Sequence, residues 1–340
     1  MQARKLLWIG VGGVAGLVVI TAALVIFVFV GAFHGGRGQK SAPPPEGKQA
    51  ISPGGDIALY SQVQGSSSFL YRKDPASGTN ARLTKAPRGI ESEAGFSHDG
   101  KLVVYSFATA PDSRSTVWMV GEDGRNPHPL TGDHDDALHP VFAPDDSKVF
   151  YAVSRLTGNY SPIVRPARHD WDVYAIAVQS NAASQAVLPV PITQASLYDL
   201  RSIDVADDSV KPGTTKLLVS TTGYPIGALL EEFTLGDPGR NKIFQPHVPG
   251  ESSMGPSYGE ARFIHNGMDI LFLAATSKAG GDYDYNVYSM SDVTGGGIKQ
   301  LTHLKGMTTD LKVLPDGKAT FVNGGVAQIL DLSTNTVKPL

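Results

Sequence analysis

The chain contains no cysteine among its 340 residues, which removes disulfide frameworks, thiolate metal sites, cysteine nucleophiles and an acylated lipoprotein cysteine together. Charge is also sparse: Asp, Glu, Lys and Arg make up 18% and the formal net charge is -3. A disordered polyanion and a nucleic-acid binder driven by bulk basicity are therefore excluded. No long helical periodicity runs through the polar part of the chain. Catalytic signatures are missing as well: there is no Gly-Xaa-Ser-Xaa-Gly elbow, no His-Glu-Xaa-Xaa-His helix and no phosphate-binding loop there. What is abundant is glycine, at 38 residues, with 23 prolines, a composition of many tight turns and short elements.

The one long apolar run is Leu6 to Val30, whose only polar side chain is Thr21. As a helix it exceeds the ~30 Å hydrocarbon core at about 1.5 Å per residue, so it is expected to span a membrane as an uncleaved signal-anchor. The flanking charges, Arg4 and Lys5 against Arg37 and Lys40, nearly balance. A short N-terminal tail (1–5) before a large folded domain then favours N-in, C-out, with the domain in the periplasm or outside the cell. Gly10 to Ala15 mimics a dinucleotide-binding loop, but no strand precedes it and no βαβ unit surrounds it. Residues 31–49, with Gly35-Gly36-Arg37-Gly38 and Pro43-Pro44-Pro45, read as a partly stiffened tether.

From residue 50 to residue 340 the sequence repeats itself. Phe96-Ser97-His98-Asp99-Gly100 before Leu102-Val103-Val104-Tyr105 returns as Phe142-Ala143-Pro144-Asp145-Asp146 before Val149-Phe150-Tyr151, and as Phe263-Ile264-His265-Asn266-Gly267 before Ile270-Leu271-Phe272. Weaker copies surround Gly54, Asp208 and Asp316, and the spacings between the six turn residues are 45, 46, 63, 58 and 50. Each copy is a hairpin signal followed by another β-rich run and a short closing segment that ends Leu83-Thr84, Leu130-Thr131, Ile192-Thr193 or Leu301-Thr302. Four antiparallel strands at that period cannot bury both faces alone. They must stack, and radial stacking predicts an all-β, six-bladed propeller with Phe96, Phe142 and Phe263 in the wedges between blades.

These residues resemble the TolB-like propeller repeat, itself similar to WD-type repeats in blade layout. The resemblance covers residues 50–340 and is sharpest in the second, third and fifth copies. It implies a propeller without the additional α/β domain of TolB, because this chain passes from apolar segment to tether to repeats; a Tol-Pal role does not carry over.

In such a fold the inter-blade connections share one rim, where binding is expected. Six residues before the turn residue stand Glu93, His139, Ser202, Glu260 and Asp310, one polar residue per blade, which predicts a polar ring at the channel mouth. Glu93, His139, Glu260 and Asp310 together could hold Ca²⁺ or an amine. A second metal candidate is His134 and Asp136 with His139, although their spacing matches no established site. The stretch Ser154 to Asp170, with Arg155, Tyr160, Arg165, Arg168 and His169, reads as a long loop suited to carboxylates, peptide backbone or glycans, and Gly280 to Tyr285 as an acidic, aromatic one. The leading expectation is a membrane-tethered, non-catalytic module that binds a protein, peptide or envelope glycan and no nucleic acid, without a required cofactor. The alternative is a lactonase-like, metal-dependent hydrolase with a cation in the channel.

Overall fold

The computed structural model describes residues 47–340 except 75–76, 112, 133–135, 159–166, 179–187, 224–226, 252–255, 278–282, 315 and 340. The Leu6–Val30 segment lies outside the described residues, and among those described no helix is long and apolar enough to cross a membrane.

The described chain is all β, consistent with a propeller: six consecutive modules of four antiparallel strands. Their first strands are Gly47–Ile51, Ile90–Phe96, Asp136–Phe142, Asp199–Asp207, Tyr258–Ile264 and Thr308–Leu314. Each lies against the first strand of the next module, and that of module 6 also touches that of module 1. These inner strands thus follow one another in cyclic order. A single parallel bridge, Ser68 to Ile90, additionally joins modules 1 and 2 into one sheet.

The first strand begins at Gly47, so the end of the expected tether is already part of module 1. The last strand, Thr336–Pro339, pairs within its own module, and Gly47–Ile51 pairs with Ala58–Gln64. Among the described residues each module is therefore one stretch of chain, and no strand is exchanged between the first and last modules.

The repeat follows from where the side chains go. In Leu102-Val103-Val104-Tyr105, successive side chains point to opposite faces. Val103 and Tyr105 pack with Leu59 and Leu70 of module 1, whereas Val104 packs with Phe142 and Val149 of module 3. The second strands are apolar on both faces because both faces are covered. Phe142 and Phe263 are buried between modules and Phe96 is partly buried between modules 1 and 2, as the repeat predicts.

The closing Leu-Thr pair also has a hydrogen-bonding reason. The leucine or isoleucine N–H extends the ladder, as Leu130 N does to Val117 O and Leu301 N to Val287 O. The threonine hydroxyl accepts the third-strand N–H, at 2.9 Å in Val117 to Thr131, Val173 to Thr193 and Val287 to Thr302. It then donates to a buried side chain, Asp172 for Thr193 and Asn286 for Thr302. At the turns, Asp99 and Asp145 accept backbone N–H groups two residues on, fixing the hairpin locally.

Candidate functional site

Every inner strand carries a β-bulge, two to five residues into the strand. The register shifts at Gln49, at Glu93-Ala94, at His139-Pro140, at Arg201, at Gly259-Glu260 and at Asp310-Leu311. A bulge adds one residue to one strand and re-aims the side chains around it. Glu93, His139 and Asp310 take left-handed φ values of 54°, 55° and 57°, which non-glycine residues rarely adopt. In module 4 the extra residue is Arg201, one place earlier than the counting rule gave. Ser202 is buried instead, and its hydroxyl accepts the N–H of Ala261 at 2.9 Å.

The bulges let one module brace the next. Glu93 accepts the backbone N–H of His139 at 2.7 Å, the His139 ring at 3.0 Å and the Ser106 hydroxyl at 2.8 Å. Glu260 accepts the backbone N–H of Asp310 at 2.6 Å and the Arg262 guanidinium at 3.0 Å. Asp204 accepts the N–H of Phe263 at 2.7 Å. Three carboxylates are thus spent on their neighbours' backbone.

A second layer lies further along the inner strands: Ile51, Gly95, Val141, Asp204, Arg262 and Lys312. All are partly exposed while the residue before each is buried, and Val141 also packs against the core between modules 3 and 4. The Lys312 ammonium crosses to the carbonyl of Ala94, a residue of module 2, at 2.6 Å.

The charges of the two layers act on one another. Burial raises the Glu93 carboxyl, but the His139 charge and hydrogen bonds overcome it and hold the group down to about 2. Burial lowers the His139 imidazole, and the Glu93 charge, helped by Glu260, reverses that to a net rise. Burial raises Glu260, with Asp310 adding to the rise against Arg262, and burial likewise raises Asp204. Lys312 is lowered to about 8 by burial and by Arg262, against Asp310, Glu260 and Glu93. Groups from modules 2, 3, 5 and 6 therefore share one electrostatic neighbourhood.

The other expected residues lie elsewhere. Strands Lys148–Gly158 and Ala167–Ala177 form one long hairpin, so much of the expected loop is sheet. Arg155 is exposed and sits 5.5 Å from the Tyr174 ring. Arg168 pairs with buried Asp136 and donates to Ser113 O at 2.7 Å, fastening module 3 to module 2. His169 is buried, with its ring 3.1 Å from Asp170. Asp136 is raised by burial and also accepts Ser115 N at 2.8 Å, which commits it to structure rather than to a metal. Tyr283 to Tyr285 begin another strand, and the Tyr285 hydroxyl meets that of Ser257 at 3.0 Å. Tyr160, Arg165 and His134 lie outside the described residues. Among the described residues, no three His, Asp or Glu side chains converge in a way that could hold a metal ion.

A second set of charges is sealed between modules 4 and 5. Lys216, Glu232 and Asp292 are each 1% exposed. Lys216 bonds Asp292 at 2.6 Å and the Gly267 carbonyl at 2.5 Å, and Lys242 lies 3.2 Å from both Glu232 and Asp292. Burial, followed by the neighbouring Asp292, raises Glu232 to about 7. Asp292 is lowered in spite of burial, through its bonds with Glu232 and Lys216.

Arg201, Asp204, Arg262 and Lys312 escaped the sequence reading. The available signal was the turn residue itself: four places before it stand Gly95, Val141, Asp204, Arg262 and Lys312.

No family model matches the chain, and no curated protein matches it. Solved structures match in fold. A chain described as a TolB from Agrobacterium tumefaciens has TM-score 0.53 and 17% identity, covering 78% of this chain and 83% of that one. TolB from Acinetobacter baumannii has TM-score 0.55 and 12% identity over 86% of this chain, which spans 63% of that protein. Oligogalacturonate lyase from Vibrio parahaemolyticus has TM-score 0.53 and 12% identity, with 89% and 80% covered. At these identities the likeness concerns the TolB-like propeller fold alone.

Proposed function

We propose that this chain is a membrane-tethered, extracytoplasmic six-bladed propeller that binds a protein, peptide or envelope glycan, without catalysis, at the mouth of its central channel. The observation that carries the reading is the convergence of Glu93, His139, Glu260, Arg262, Asp310 and Lys312 from four modules into one partly open space. Left-handed bulges at the mouth support it, since backbone strain of this kind collects at functional sites. The length and apolarity of Leu6–Val30 support the anchor.

The metal-dependent hydrolase is the weaker reading. A cation needs oxygen ligands at ~2.3–2.6 Å converging on one point. Here Glu93 is engaged by His139, and Glu260 by Arg262 and the Asp310 backbone.

Capture of partners from cross-linked membranes tests the binding reading. Asparagine tolerates left-handed φ, so the double variant His139→Asn, Asp310→Asn keeps the bulges while changing the mouth. The wild-type chain captures a partner that this variant loses; equal capture by both overturns the assignment of the site.

A further inference from the structure

The turn after the inner strand of module 5 departs from those of its neighbours. In modules 2 and 3 the turn aspartate is held in place. Asp99 accepts the Ser97 hydroxyl at 2.7 Å and the N–H of Lys101 at 3.0 Å, and Asp145 accepts the hydroxyl and the N–H of Ser147 at 2.7 and 3.0 Å. Module 5 has Asn266 at that place, followed by Gly267, and among the described residues nothing holds its exposed carboxamide. His265, Asn266 and Gly267 take successive left-handed φ values of 50°, 55° and 77°, and the Gly267 N–H makes one turn bond, to Ile264 O at 3.1 Å.

The sequence has one other Asn-Gly pair, Asn323-Gly324. There the carboxamide is tied down: it donates to the carbonyls of Lys305 and Met307 at 3.1 and 3.2 Å and to the Thr308 hydroxyl at 3.0 Å.

Glycine has no Cβ to shield its amide nitrogen, so an asparagine before glycine closes on that nitrogen with little hindrance. The Gly267 nitrogen attacks Asn266 Cγ. The N–Cγ bond forms, the Cγ–Nδ2 bond breaks, and the amide leaves as ammonia with the proton given up by the Gly267 N–H. The five-membered imide then takes up one water, and opening at one carbonyl or the other leaves aspartate or isoaspartate. Isoaspartate places an extra methylene in the main chain directly before Gly267.

That position has no slack. Gly267 is buried against module 4, where an added Cβ would lie 2.9 Å from Asp207 O and 3.3 Å from Lys216 Cε. Its carbonyl accepts the Lys216 ammonium at 2.5 Å, and the Met268 carbonyl beside it accepts the Asp292 N–H at 2.9 Å. Both bonds reach the charges buried between modules 4 and 5.

We propose that Asn266 is a site of spontaneous deamidation, and that its isoaspartyl product lifts Gly267 from its seat and loosens the seam between modules 4 and 5. The site is independent of what the channel binds.

The test incubates the full-length chain in detergent at mildly alkaline pH, where the attacking nitrogen loses its proton more readily, and follows both Asn-Gly pairs by peptide mapping. An Asp-specific protease distinguishes the products, since it does not cut at isoaspartate. Conversion at Asn266 exceeds that at Asn323 by about tenfold or more, the difference imposed by the hydrogen bonds on the second carboxamide. Unfolding in urea before incubation brings the two rates together. In the isoaspartyl fraction the Asp292 amide exchanges with deuterium about tenfold faster or more. Freshly prepared Asn266→Asp, which has the charge without the extra backbone atom, keeps the slow exchange. So does Asn266→Gly, which cannot react and tolerates the left-handed φ. No conversion at Asn266 in the folded chain, or conversion equal to that at Asn323, overturns the site. Isoaspartate at 266 with unchanged exchange at Asp292 overturns the effect on the seam, as does fast exchange in fresh Asn266→Asp.

Discussion

Two groups of charges lie inside this protein, and they are built on opposite plans. Lys216, Glu232 and Asp292 are buried between two modules and ion-paired among themselves and with Lys242, which is partly exposed at the edge of the group. The channel set is drawn from four modules, remains partly exposed, and is braced by backbone N–H groups as much as by side chains. Enclosure makes the first a fastener, because removing one partner strands a buried charge. Openness makes the second cheap to alter and available to a ligand.

The contrast is sharpest in stability. Lys216→Met leaves Glu232 and Asp292 buried with Lys242 alone, and is expected to cost about 3–5 kcal/mol in denaturant unfolding. Lys312→Met, on the half-open channel wall, is expected to cost about 1 kcal/mol or less once solvent screening is counted. Equal costs would erase the distinction between fastener and site.

A smaller effect separates the two by pH. Glu232, raised to about 7, favours the folded state while it is protonated. Its contribution is full below its unfolded value near 4.5 and is lost as pH rises through 7. Asp292, lowered, behaves oppositely and loses its contribution only in acid. Between about pH 5 and about pH 8 the wild-type chain should therefore lose up to about 3 kcal/mol relative to Glu232→Gln. A constant difference between the two proteins across that range would refute the buried proton.

The smallest effect belongs to Glu93→Gln. Glu93, depressed to about 2, contributes above about 4.5 and loses that contribution as pH falls toward 2. His139, raised, contributes fully below about 6.5 and loses it as pH rises further. The pair is strongest in the mildly acidic interval between, where Glu93→Gln should cost about 1 kcal/mol and rather less at alkaline pH. A cost that grows with pH would reverse the assignment of charges.

The modular architecture was legible because it is written in local chemistry: Asp-Gly turns, the Leu-Thr close and the wedge residues Phe96, Phe142 and Phe263 recur at matching places in several modules. Half of the channel was legible for the same reason. Glu93, His139, Glu260 and Asp310 recur at a fixed distance from the turn, and they do come together. Arg201 was missed because the bulge in module 4 is displaced by one residue, which no residue type announces. Arg262 and Lys312 were missed because a charge two places along a strand reads as solvent-facing until six strands surround it. Arg168 misled for the converse reason: its composition suggested a binding loop, whereas a ten-pair hairpin delivers it to buried Asp136.

The most direct measurement places a photo-reactive side chain at either end of the channel, in full-length protein held in native membranes. One goes at position 310, at the bulged mouth, and one at position 268, an exposed residue beyond the turn at the far end of the module 5 inner strand. A cross-linked partner from position 310 and none from position 268 is the predicted result. A partner from 268 alone, or from neither, contradicts the assignment of the mouth as the binding site.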